Sequence, residues 1–163
     1  MKVPCRELIP ALEQEVLARG ARARFTVAGS SMSPFLRDGD TVELAALGDR
    51  PVHVGDVILA RVADEAYVMH RVARVTAAGI YLLGDAQHHV DGPLARSQLV
   101  GRVTRAWRGS RPVHAVGPFW RATGRLWGAC PGPRATALEA LRRCRRALRR
   151  LARSDHPGGG EAP

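Results

Sequence analysis

Gly29-Ser30-Ser31-Met32-Ser33-Pro34-Phe35-Leu36-Arg37-Asp38-Gly39-Asp40 is a tight polar turn that runs directly into Thr41-Val42-Glu43-Leu44. Glycine before the serines lets the chain turn closely, and Pro34 fixes φ and stiffens the exit. Met32 is the apolar anchor expected to hold the loop to a core and turn its neighbour Ser31 outward. Further along stand a histidine inside Val68-Met69-His70-Arg71-Val72, then Gly84-Asp85 and Asp91. A serine on a tight turn, an imidazole on a strand and a later carboxylate are the parts of a serine hydrolase. The only lysine is Lys2, so a Ser-Lys dyad has no plausible base; if Ser31 is a nucleophile, a histidine must activate it. Taken alone, the serine segment reads equally well as an ordinary polar turn; the rest of the chain decides between the two.

Outward from that turn, the chain is mostly short strands with no β-α-β alternation, which points to a mainly β fold. Arg24–Ala28 enters the turn. Thr41–Ala45 and Val57–Val62 follow, punctuated by Gly39-Asp40 and Gly55-Asp56. Ala66–Val75 is a longer strand. Two-residue periodicity sends Tyr67, Met69, Arg71 and Ala73 to one face, and Val68, His70, Val72 and Arg74 to the other. Gly79–Leu83 is its hairpin partner, and Gln98–Trp107 closes the body, a β domain over 25–108. Before it, residues 1–24 carry a short amphipathic helix with Leu8, Ile9, Leu12, Val16 and Leu17 on one stripe, stopped at Gly20. After it, 109–133 is a Gly/Pro/Trp-containing linker or wrap. Residues 134–153 form a basic amphipathic helix with Leu138, Leu141, Cys144, Leu148 and Leu151 on one side. A tail over 154–163, with Gly158-Gly159-Gly160, is expected to be disordered.

At 163 residues with 45% hydrophobic content, the chain can bury a real core. Its net charge of +10 is almost all arginine, and half of it falls in 134–163, where eight arginines face three acids. The body is therefore only mildly basic. Cys5, Cys130 and Cys144 are odd in number and widely spaced, which indicates neither a zinc site nor a disulfide framework and suits a reducing compartment. No metal and no cofactor are expected. His88-His89 reads as a solvated loop, and His53 and His114 as surface residues. Acidic residues interrupt any signal-peptide-like run near the start, and no stretch reaches the roughly 20 apolar residues of a membrane span. The expectation is a cytoplasmic protein with no transmembrane segment.

The ordered motifs resemble the S24/S26 peptidases, the clan of signal peptidase I and of the LexA-type repressors. The family's serine box, Ser-Met-x-Pro with a hydrophobic residue and then Gly-Asp before a strand, appears as Ser31-Met32-Ser33-Pro34, Leu36 and Gly39-Asp40. A Gly-Asp-Val-Ile box follows at Gly55-Asp56-Val57-Ile58. The base box is Lys-Arg-Val in bacterial signal peptidases and His-Arg-Val in the archaeal and endoplasmic-reticulum type; here it is His70-Arg71-Val72. Gly84-Asp85, Asp91 and Val100-Gly101-Arg102 complete the set.

The resemblance implies Ser31 as nucleophile, His70 as general base and Asp91 as the residue that orients the imidazole, with Asp85 as the competing carboxylate. Gly29, Ser30, Met32 and Pro34 would form the oxyanion and substrate loop, and Gly39, Asp40, Gly84 and Asp85 structural turns. Signal peptidases carry a hydroxyl two residues before the nucleophile; that position is Gly29. The implied activity is a serine endopeptidase cutting an extended precursor or leader peptide with a small residue at the cleavage site. Two other readings stand beside it: a non-catalytic peptide-binding module on the same fold, and a LexA-like regulator. The latter is disfavoured because only about 24 residues precede the β body, short of a DNA-binding domain, and the Ser-Lys dyad is absent. For the basic helix, docking on the body and peripheral attachment to an anionic membrane surface at the inner face come before nucleic-acid binding.

Overall fold

The computed structural model describes residues 20–62 and 66–114, and beyond them 121–122, 125–126, 139–140 and 143. The chain divides into two compact units, Met1–Ala129 and Cys130–Pro163. In the second, Glu139, Ala140 and Arg143 are helical, and Arg143 Nε lies 3.3 Å from Glu139 Oε1, one helical turn away. The rest of the expected C-terminal helix, the amphipathic stripe at 5–19, the three cysteines and the 154–163 tail lie outside the described residues.

The described residues of the first unit form an antiparallel sheet of eight strands: β1 (Arg22–Thr26), β2 (Thr41–Ala45), β3 (Val57–Arg61), β4 (Tyr67–Thr76), β5 (Gly79–Leu83), β6 (Val90–Leu94), β7 (Leu99–Arg108) and β8 (Arg111–Pro112). Their order is β1-β2-β7-β3-β4-β5-β6, with β8 beside β7. The fold is mainly β, as the pattern of short strands implies. Two strands were not legible. β6 contains Asp91-Gly92-Pro93, which reads as a turn, yet it pairs with β5 at the end of the strand order, where a missing N–H is tolerated. β8 is two residues long, and Val113 beyond it packs on the core. The body therefore runs past Arg108. Arg121 and Arg125 also return to the turn before β3, through Asp56 (2.7 Å) and the Val54 carbonyl (3.1 Å).

Two hydrophobic clusters hold the sheet. One gathers Met32, Leu36, Val42, Leu44, Val57 and Leu59; the other gathers Ile58, Ala60, Val72, Ile80, Leu82 and Leu94. Alternate residues of Val57-Ile58-Leu59-Ala60 enter different clusters, so β3 is buried on both faces and its sequence is a continuous apolar run. In β4, Tyr67 and Met69 pack on the first cluster and Val68 and Val72 on the second. That alternation stops at Ala73, an extra residue between the pairs Val72↔Leu82 and Arg74↔Tyr81.

Candidate active site

The serine turn is a closed excursion between β1 and β2. Its ends are tied by Val27 N to Asp40 O (2.7 Å) and Gly39 N to Val27 O (2.9 Å). Met32 is 2% exposed and Leu36 fully buried, so the loop's apolar side is sunk into the core while Ser30 stays exposed and Ser31 half-buried. Within the turn, Ser33 N donates to Ser30 O and Leu36 N to Met32 O. Gly29 N donates to Asp38 Oδ1 at 3.0 Å.

Asp40 anchors the exit. It accepts from Arg108 Nε and Nη2 at 2.8 and 2.7 Å and from Arg37 N at 2.9 Å. Burial alone would raise its pKa, but those hydrogen bonds and the Arg108 charge outweigh it and hold the carboxyl below its ordinary value. Glu43, on β2, behaves alike. Burial pushes it up, and bonds from Thr104, Arg22 and Arg24 bring it below the ordinary range. Thr104 reaches it because it is the extra residue of a bulge in β7 between Leu44↔Val103 and Glu43↔Arg105.

His70 lies on β4 and is 4% exposed. Its Nδ1 is 2.6 Å from Asp91 Oδ2. The tautomer with its proton on Nδ1 donates to this carboxylate and leaves Nε2 as an acceptor. Asp91 stands on β6, two strands away, a separation of roughly 9–10 Å between backbones. The imidazole reaches it just past the end of β5, over Gly84, where no side chain stands. A Cβ placed on Gly84 would lie 3.1 Å from His70 Nε2 and 2.9 Å from the Ser31 carbonyl oxygen. That close approach requires glycine, and it brings His70 Nε2 to the Ser31 backbone over a common floor. Among the described residues no hydrogen bond joins Ser31 Oγ to Nε2; catalytic hydrogen bonds are often longer without substrate.

The neighbouring carboxylate is committed elsewhere. Asp85 accepts from Arg71 Nε and Nη2 at 2.9 and 2.8 Å, with the two side chains 3% and 4% exposed. Arg71 also donates to the Gly55 carbonyl at 3.0 Å and lies over the Phe35 ring. The adjacent residues His70 and Arg71 thus point to opposite faces of β4 and take one aspartate each. Gly92 sets the position of Asp91, the partner of His70. Its φ of +131° and a Cβ position 2.6 Å from the Ile80 carbonyl admit only glycine. With Pro93 it lies in the bulge that leaves Asp91 opposite Leu82.

His88 and His89 are exposed, and His89 Nε2 is 3.9 Å from Asp91 Oδ1. No cluster of three potential metal-ligating residues occurs among the described residues. Sequence reasoning did not single out Gln87, whose Oε1 lies 2.9 Å from the same Gly84 Cβ position. Its only sequence cue is that it sits in the short loop between Gly84-Asp85 and Asp91.

The bulged antiparallel sheet carries the serine turn, His70 and Asp91 on three separate elements, and the family match puts the chain in the peptidase-fold class. Residues 7–104 match the Peptidase S24-like family, and the chain belongs to that family. No curated protein matches the chain. No helix among the described residues is long and apolar enough to cross a membrane.

Proposed function

We propose that this protein is a serine endopeptidase of the signal-peptidase-like kind, acting on an extended precursor or leader peptide with a small residue at the cleavage site. Ser31 Oγ attacks the scissile carbonyl and gives its proton to His70 Nε2. Asp91 stabilises the resulting imidazolium. The imidazolium returns the proton to the departing amine, and water, activated the same way, resolves the acyl-enzyme. The observation that carries this reading is the 2.6 Å bond between His70 Nδ1 and Asp91, with Nε2 facing the Gly84 floor beside Ser31. That Arg71 engages both oxygens of Asp85 supports Asp91 as the third member. The substrate strand would lie along the sheet by β-augmentation.

The test compares protein N-termini in native cells carrying wild type or Ser31→Ala. N-termini that disappear in the mutant support the peptidase and reveal its cleavage rule. Identical sets, with both proteins folded, would favour a peptide-binding module instead. The basic segment 134–153 is proposed to hold the enzyme on anionic lipid at the inner membrane face. Salt-sensitive flotation with anionic vesicles, lost on deleting 134–163, is the expected result; no flotation at low salt refutes it.

A further inference from the structure

A tetrahedral intermediate on Ser31 places a negative charge on the former carbonyl oxygen, and such charge is held by more than one preorganised donor. The Ser31 backbone N–H can supply one. Position 29, two residues earlier, is a glycine without a hydroxyl, and its amide is spent on Asp38 Oδ1. We propose that the side-chain amide of Gln87 is the second oxyanion donor, an inference that rests on Ser31 being the nucleophile.

Three observations lead there. Gln87 Oε1, the Ser31 carbonyl oxygen and His70 Nε2 all crowd one point above Gly84, at 2.9, 2.9 and 3.1 Å. The segment bearing Gln87 is locked to the serine turn, because Ala86 N donates to the Ser31 carbonyl at 2.8 Å and Gln87 N to the Gly84 carbonyl at 2.9 Å. Gln87 is also exposed, so a substrate oxygen can reach its amide. Rotation about the last side-chain torsion presents the NH₂ instead of the oxygen to the site, since that torsion is broad and the two ends are similar in size. Other polar groups nearby serve less well. The Ser33 hydroxyl is enclosed with no partner among the described residues, out of a substrate's reach, and His89 faces Asp91.

A fluorophosphonate reads this directly. The Ser31 Oγ–P bond forms as His70 Nε2 takes the hydroxyl proton, the P–F bond breaks, fluoride leaves, and the phosphoryl oxygen occupies the oxyanion position. Full-length wild type, Gln87→Ala and Gln87→Glu are compared, with Ser31→Ala as the blank. Glutamate keeps the shape but, when ionised, only accepts. Both variants are expected to label about 10²–10³-fold more slowly, the loss seen on removing one oxyanion donor, with thermal midpoints near wild type. On a peptide substrate the loss should fall on kcat rather than KM. Labelling of Gln87→Glu at the wild-type rate overturns the assignment while leaving Ser31 as nucleophile. So does a loss that tracks a fall in thermal midpoint. Absence of Ser31-dependent labelling in wild type overturns both readings.

Discussion

Gly84→Ala adds one methyl group between the Ser31 carbonyl and the His70 ring. The new Cβ would stand 2.9 Å from the Ser31 carbonyl oxygen, 2.9 Å from Gln87 Oε1 and 3.1 Å from His70 Nε2, whereas ordinary contact begins at 3.4 Å. Gln87 Oε1 is the end of an exposed side chain rather than backbone. The other two cannot move freely. The Ser31 carbonyl is pinned by Ala86 N at 2.8 Å and the imidazole by Asp91 at 2.6 Å. Relief must therefore come from moving Ser31 and His70 apart by about half an ångström. Overpacking of this kind costs about 1–3 kcal/mol of stability. Misplacing a catalytic group by 1 Å costs on the order of 10²-fold in rate, so half that displacement should cost on the order of 10-fold. The assay is kcat and KM on a cleaved peptide, with the fluorophosphonate rate and a urea melt on the same samples. The expected outcome is a kcat lowered about tenfold or more, KM nearly constant, and a folded protein. A Gly84→Ala variant with the wild-type rate would refute the idea that the site is assembled across this floor.

The two aspartates should separate cleanly by what their loss damages. Asp91→Asn should fold normally yet lose on the order of 10⁴ in kcat, the effect of the equivalent change in an unrelated serine protease; circular dichroism and turnover on one preparation check it. Asp85→Ala should instead cost about 3–5 kcal/mol of stability, because it leaves the buried Arg71 charge uncompensated; denaturant midpoints measure this. Acid should unfold the protein through Asp40 and Glu43. Both carboxyls are depressed in the folded state, so their stabilisation is present above the unfolded values of about 3.9 and 4.3 and is lost as pH falls through the lower folded ones. Arg108→Met should weaken that acid dependence and lower stability at neutral pH, as followed by thermal melts across pH 2–7.

Much of the candidate site's geometry was legible because its residues sit in short local patterns. The serine turn announces itself by glycine, proline and a buried methionine within six residues. Strand periodicity alone sends His70 and Arg71 to opposite faces of β4, since successive side chains must alternate. The apolar run at Val57–Ala60 likewise declares a strand buried on both sides. β6 and the continuation past Arg108 were not legible, because glycine and proline there argue for turns and only a place at the edge of the pairing makes them tolerable.

The sequence by itself determined which residue types were available to the chemistry: a serine on a constrained turn, a histidine and no usable lysine, and two candidate carboxylates. Only the tertiary structure decided which carboxylate meets which cation. That choice depends on the register of three strands and on bulges at Ala73 and around Gly92. Each bulge inserts one residue and so redirects the side chains that follow. Local propensity cannot specify such a shift, because the energy that fixes it comes from packing against strands distant in the chain.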